Sequence, residues 1–254
     1  MHGLGDDFII VEFDNLEENQ LDYSSLAVQV CDRKFGIGAD GLIIANPPEM
    51  KLIQFQMLVG EYLILTDNTK YRKLLINTLS GVILWEILDD GQIRVDMGPP
   101  ILQSSNVQAE VLRTNIKIKD KEFPINLISM GNPHCVIFTK EDTDSLAIEY
   151  GPKIECHSIF PLKTNVEFVN IISNNRSKIS IWERGCGITM ACGTGACASV
   201  VAAVLNKLTE ESVIVDLPGG QLKIDWNGCE NSSVFMTGNA EFVCFQLTDL
   251  LERN

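Results

Sequence analysis

The chain has 254 residues, with 34 Asp and Glu against 20 Lys and Arg, a net charge of −14, and 45% hydrophobic residues. That length suits one large domain or two of about 125 residues, and with this composition it excludes a disordered or fibrous chain. The acidic balance lacks the basic surface that a phosphate backbone requires, so nucleic acid is excluded as a partner.

No window approaches the roughly 20 apolar residues of a membrane span, so no membrane association is expected. The longest candidate, Ala196–Leu205, has the length of a core helix. The N-terminus carries Asp6 and Asp7 where a signal peptide needs a basic and then an apolar run, so a cytoplasmic location is expected.

In chain order, apolar alternation with β-branched residues predicts strands at Phe8–Phe13, Val82–Leu88, Ile93–Met97, Ile125–Ser129, Val136–Phe138 and Val166–Ile172. Further strands follow at Ile179–Trp182, Val213–Leu217, Leu222–Trp226, Val234–Thr237 and Glu241–Phe245. Turn signals separate them at Asp89-Asp90-Gly91, Pro218-Gly219-Gly220 and Asn227-Gly228. Few stretches read as helix. Ser24–Phe35 has apolar positions at Leu26, Val30 and Phe35 behind a Ser cap, and Gly195–Leu208 is apolar all round, as a buried helix is. Many strands and few helices predict an α+β protein whose strands wrap a central helix.

An internal repeat organises the chain. Gly3-Leu4-Gly5-Asp6-Asp7-Phe8-Ile9-Ile10-Val11 resembles Ser129-Met130-Gly131-Asn132-Pro133-His134-Cys135-Val136-Ile137, and Gly5 and Gly131 lie 126 positions apart. The expectation is two similar domains, 1–114 and 115–243, joined in the polar stretch Leu112–Lys121 with a cleft between them.

Eight cysteines, Cys31, Cys135, Cys156, Cys186, Cys192, Cys197, Cys229 and Cys244, contain no CxxC pair and no zinc-ligand spacing. Most read as small buried hydrophobes. Cys192 is different. In Met190-Ala191-Cys192-Gly193-Thr194-Gly195-Ala196-Cys197 it precedes a glycine-rich turn and an apolar helix. Free N–H groups at a helix N-terminus favour a thiolate, and they can also hold a carboxylate. The alternative is a glycine turn with an inert thiol, which is the stronger reading for Cys197. His134, Asn132, Asn165, Glu183 and Arg184 lie at strand ends of the same half, where they fit either an amino-acid pocket or ordinary turns and a surface ion pair.

Taken together, MHGLGDDFIIV, CDRKFGIGADGLI, INTLSG with DDGQIRVDMG, SMGNPHCVIF, TNVEFV, WERGCGITMACGTGACA and DLPGGQLKIDW with VFMTGNAEFV resemble the diaminopimelate epimerase family from Met1 to about Val243. The resemblance implies two pseudo-symmetric domains, each a mixed sheet or barrel wrapped around a central helix, with residues 244–254 packing on the first. It implies conversion of LL-2,6-diaminopimelate to the meso form in lysine biosynthesis, without pyridoxal phosphate or metal, by a homodimer. Two cysteines act from opposite faces of the α-carbon, because a single base returns the proton to the face it left. Cys192 matches the second-domain catalytic cysteine, and Gly193 and Thr194 match the backbone donors to the substrate carboxylate. Asn132 and Asn165 match substrate-binding asparagines, Glu183 and Arg184 the pair contacting substrate, and His134 and Glu183 the residues that orient and tune the cysteines. Asp6 stands where the family has asparagine, replacing a neutral amide by a carboxylate.

The first catalytic cysteine is missing. The family pattern places it in an MCGNG motif, whose place here is taken by Gln56-Met57-Leu58-Val59-Gly60, and the repeat places it at Thr66. No cysteine occurs between Cys31 and Cys135, and residues 53–73 keep almost nothing of the family pattern. A divergent homologue, a decayed gene and a frameshift each explain this, and the abrupt edges favour the last two. The expectation is therefore a poor epimerase, with a binding or regulatory homologue as the alternative. A proline-type racemase of the same fold fits the GNPH, TNVEF and ACGTGA set less well.

Overall fold

The computed structural model describes residues 2–3, 6–12, 23–39, 41–45, 73–78, 81–102 and 112–239. The predicted strand Glu241–Phe245, residues 53–72 of the divergent stretch and the tail 244–254 lie outside the described residues.

In the first part, β1 (His2–Gly3), β2 (Asp6–Glu12) and β3 (Gly41–Ala45) form a small sheet in which β2 and β3 run parallel. Helix α1 (Tyr23–Cys31) lies between them in the chain and packs on β3. It stops four residues short of Phe35, because the Asp32 carboxylate accepts from the backbone N–H groups of Lys34 and Phe35, both at 2.7 Å, and turns the chain.

The main sheet has twelve strands among the described residues. It is built from β4 (Lys73–Thr78), β5 (Gly81–Ile87), β6 (Ile93–Asp96), β7 (Leu112–Ile118), β8 (Lys121–Ser129), β9 (Pro133–Phe138), β10 (Asn165–Ser173), β11 (Arg176–Glu183), β12 (Gly187–Ile188), β13 (Ser212–Leu217), β14 (Gly220–Asp225) and β15 (Phe235–Gly238). The order is β4-β5-β6-β15-β14-β13-β11-β10-β9-β8-β7, with β12 against β11. The pairs β9/β10 and β11/β13 are parallel, and the rest are antiparallel.

Two helices cover this sheet. Helix α2 (Thr143–Glu155) packs on β10 and β11 over a core of Ile125, Cys135, Ile137, Leu146, Ile154, Val166 and Phe168. Helix α3 (Gly193–Leu205) lies on the opposite face among Val136, Val169, Ile179, Val200, Val215, Ile224 and Trp226. Strand alternation divides the two cores: Cys135 and Ile137 face α2 while Val136 faces α3, and Val166 and Phe168 face α2 while Val169 faces α3. Nine residues of α3 are buried, so the wrapped central helix predicted from its composition is present.

Three expectations are corrected. The stretch Leu112–Lys121 is no linker: it is β7 with its turn into β8, and Ile116 and Ile118 face the core while Asn115 and Lys117 face solvent. The polar half of that alternation masked the strand. Helix α2 went unpredicted because Gly151 and Pro152 read as breakers, although Asp142 caps it by accepting from the Ser145 N–H at 2.9 Å. Helix α3 begins at Gly193, two residues early, and ends at Asn206, whose amide donates back to the Ala202 carbonyl at 2.8 Å.

The inferred repeat has a counterpart in the chain's order of elements. The parallel unit β2-α1-β3 recurs as β9-α2-β10, with Asp6 at the start of the first and Pro133 at the start of the second.

Candidate active site

The site is assembled where β9, β10 and β11 meet the N-terminus of α3. Cys192 is the N-cap of α3, with an extended backbone (φ −147°, ψ 107°), and Gly193, Thr194 and Gly195 form its first turn. The sequence turns here because glycine admits close neighbours. A Cβ on Gly195 would lie 3.0 Å from both Glu167 Oε1 and Ile181 Cδ1, and 3.4 Å from Cys192 Sγ.

From Cys192 a hydrogen-bonded chain runs into the sheet. Cys192 Sγ lies 3.6 Å from Thr194 Oγ1. Asn132 Nδ2 donates to Thr194 Oγ1 at 3.3 Å, and Asn132 Oδ1 lies 3.0 Å from His134 Nε2. His134 Nδ1 lies 2.7 Å from Glu167 Oε1, with both side chains fully buried. His134 stands opposite Asn165 in the parallel β9/β10 register, so Glu167, two residues further along β10, shares its face. The loop before β9 delivers Asn132 through Gly131, whose φ of 92° suits glycine.

Asn165, Glu183 and Arg184 form a second group beside the first. Asn165 Nδ2 donates to the Pro133 carbonyl at 3.0 Å, and its Oδ1 accepts from the Arg184 N–H at 2.9 Å. Its amide thus ties β9 to the turn after β11. Glu183 Oε1 accepts from Thr189 Oγ1 at 2.5 Å, and Arg184 Nη1 donates to the Leu162 carbonyl at 3.3 Å, so each of this adjacent pair bonds elsewhere. The turn is held from outside by Glu155, which accepts from Trp182 Nε1 at 2.8 Å, the Gly185 N–H at 3.1 Å and Lys163 Nζ at 3.2 Å. Burial pushes the Glu155 carboxyl up, but these donors outweigh it and hold it below its usual value.

The electrostatics reverse one expectation. Desolvation, with the charges of Glu183 and Glu167, pushes the Cys192 thiol well above its ordinary value, and Thr194 and the Gly195 N–H pull it down without prevailing. The helix N-terminus therefore does not by itself make a thiolate. Burial also pushes up the carboxyl of Glu167, against the opposing pull of His134.

The structure brings together Cys192, Gly193, Thr194, Asn132 and His134 as one cluster, with Asn165 and Arg184 joined beside it. The side chain of Asp6 and the whole stretch replacing the first cysteine lie outside the described residues. Sequence reasoning missed Glu167 and Glu155. The signal for Glu167 was a carboxylate between Val166 and Phe168, on the inward parity of a strand. The cysteine expectation holds only in part: Cys135, Cys192 and Cys197 are buried, but Cys156, Cys186 and Cys229 are exposed, and Cys244 lies outside the described residues.

The fold is shared by solved structures of low sequence identity. It resembles the phenazine biosynthesis protein of the PhzF family from Bacillus anthracis (TM-score 0.61, 13% identity, 92% of this chain and 90% of that one). It also resembles a probable proline racemase from Agrobacterium radiobacter K84 (TM-score 0.58, 13% identity, 85% and 78%). Residues 126–243 match the profile of the family described as Diaminopimelate epimerase. The diaminopimelate epimerase of Carboxydothermus hydrogenoformans is 43% identical, over 96% of each chain. This chain belongs to the diaminopimelate epimerase family. The alignment with that relative runs over 268 positions, more than the 254 residues here, so the relative carries positions with no counterpart in this chain.

Proposed function

We propose that this chain binds 2,6-diaminopimelate between its two halves and moves a proton at the α-carbon with Cys192, as the second-domain half of an epimerase site. The observation that carries this reading is Cys192 at the N-cap of α3, joined through Thr194 and Asn132 to the buried His134–Glu167 pair. The N–H groups of Gly193 and Thr194 are the donors for the substrate α-carboxylate, where they stabilise the charge that spreads onto it when the α-proton leaves. Asn132, Asn165 and Arg184 hold the rest of the amino acid, and no cofactor is required. Two similar domains, with their boundary near β7, form the site between them, and a homodimer is the working assembly.

Proton balance sets the limit on the activity. A Cys192 thiolate takes the α-proton and becomes a thiol, leaving the electron pair delocalised into the carboxylate. Inversion then needs an acid on the other face, and the sequence has no cysteine between Cys31 and Cys135 to supply it. Cys192 alone returns the proton to the same face. The expected activity is exchange of the α-hydrogen with solvent and little inversion, speeding up with rising pH and still climbing above the range in which an ordinary thiol ionises, because burial pushes the Cys192 thiol up.

Incubating LL- and meso-diaminopimelate in deuterated buffer tests this. Slow deuterium incorporation with retained configuration, abolished in Cys192→Ala while the variant still binds diaminopimelate, supports the reading. Rapid interconversion of both isomers sinks the half-site reading, and unchanged exchange in Cys192→Ala removes Cys192 from the chemistry.

A further inference from the structure

The structure assigns to Glu167 the part of a positioning residue: through His134 and Asn132 it sets the direction of a hydrogen-bond chain that ends with the Thr194 hydroxyl donating to Cys192 Sγ. Glu167 is wholly enclosed on the α3 side of β10, and its Oε2 has no hydrogen-bond partner. A buried carboxylate with a single polar partner is poor evidence for stability. Gly195 keeps the room for it beside the first turn of α3.

The direction follows from what each atom can donate. Asn132 Oδ1 can only accept, so His134 Nε2, 3.0 Å away, must carry hydrogen. Nδ1 then either carries a second hydrogen toward the Glu167 carboxylate or accepts the proton of a neutral Glu167 carboxyl. The pair is neutral overall in both cases, and Nε2–H points at Asn132 in both. With its oxygen engaged, Asn132 turns its Nδ2 to Thr194 Oγ1. That oxygen now accepts, so the Thr194 hydroxyl hydrogen is free for Cys192 Sγ, where it favours the thiolate. Without the Glu167 carboxyl, a neutral His134 can place its one hydrogen on Nδ1, and every donor along the chain can reverse.

The groups facing this chain are few. Glu167 from β10 and Glu183 from β11 act on Cys192, and Thr194 and the Gly195 N–H act on it from α3. Glu183 also acts on Glu167, and Cys135 lies within reach of the Glu167 charge. Simple removal of the Glu167 charge would ease ionisation of Cys192, whereas reversal of the chain would hinder it, so the two effects have opposite signs.

The inference rests on the proposed role of Cys192 only for its consequence on turnover, and the test uses the substrate-free full chain. Alkylation of Cys192 by iodoacetamide is followed by mass spectrometry from about pH 6 to about pH 10. Glu167→Gln and Thr194→Val are each expected to slow it about tenfold at pH 8, and the double variant no further, because both interrupt one chain. In the wild type, nitrogen NMR of the His134 ring, assigned with His134→Gln, is expected to show a protonated Nε2 at neutral pH. A natively folded Glu167→Gln that alkylates as fast as wild type or faster overturns the inference, as does an unprotonated Nε2 or multiplying effects in the double variant. If Glu167→Gln does not fold, Thr194→Val and the wild-type ring decide. Absence of substrate exchange with these shifts intact counts against the epimerase reading alone.

Discussion

Glu155 shows how one side chain outside the Cys192–Thr194–Asn132–His134 cluster shapes its surroundings. Its two oxygens take the indole N–H of Trp182 and the Gly185 N–H, and the latter fixes the turn that presents Arg184 to Asn165. Glu155→Ala leaves both donors without their acceptor. The expected loss is about 1–3 kcal/mol of stability, read as a lower urea midpoint at unchanged slope. Glu155→Gln, which keeps one carbonyl acceptor, should recover part of it. An Ala variant as stable as wild type would show that water replaces the carboxylate at no cost. At this scale the sequence supplied most of the cluster. Asn132, His134, Asn165, Glu183, Arg184 and Cys192 were legible as polar residues at strand ends. Glu155 was not, because its role depends on a helix whose packing partner, Trp182, lies 27 positions away.

Among the elements, α2 is fixed by a glycine that its own propensity argues against. A Cβ on Gly151 would lie 2.5 Å from Trp182 Cβ and 2.7 Å from its Cγ, so the helix approaches β11 closely only without a side chain there. Gly151→Ala gains about 1 kcal/mol of helix propensity, and the overlap costs about 1–3 kcal/mol. The net expectation is destabilisation, accompanied by a change in Trp182 fluorescence, since the ring must move or the helix must lift. A stabilised variant with unchanged fluorescence would mean that α2 has slack against the sheet. The same glycine, with Pro152, hid the helix from a reading by periodicity. Helix α3 was legible for the opposite reason: an apolar run without a polar face has no place except the interior.

On the scale of the whole molecule, three buried thiols among the described residues make stability fall in alkali. Burial pushes Cys135, Cys192 and Cys197 above the ordinary thiol value. Above about pH 8.5 the unfolded chain releases these protons while the folded chain keeps them, so the folded state binds more protons and stability falls as pH rises. The full contribution is present below about pH 8.5, and each thiol removes up to about 1.4 kcal/mol per pH unit above it. Urea unfolding at about pH 8 and about pH 10 measures the slope. Cys197→Ala, which removes a thiol outside the hydrogen-bonded chain, should make that slope shallower whatever it does to stability at pH 8. An unchanged slope would show that Cys197 titrates alike in both states.

The sequence by itself determined the family, the α+β class, most of the longer strands in their chain order and the buried central helix, with Cys192 directly ahead of it. These follow from local pattern: period-two alternation, an all-apolar helix and motifs whose residues are neighbours in the chain. Only the tertiary structure decided which face of β10 Glu167 occupies, that it meets His134 33 positions away, and that burial outweighs the helix N-terminus at Cys192. Hydrogen-bond direction and desolvation depend on what surrounds an atom in space, and that surrounding exists only once β9, β10, β11 and α3 have come together.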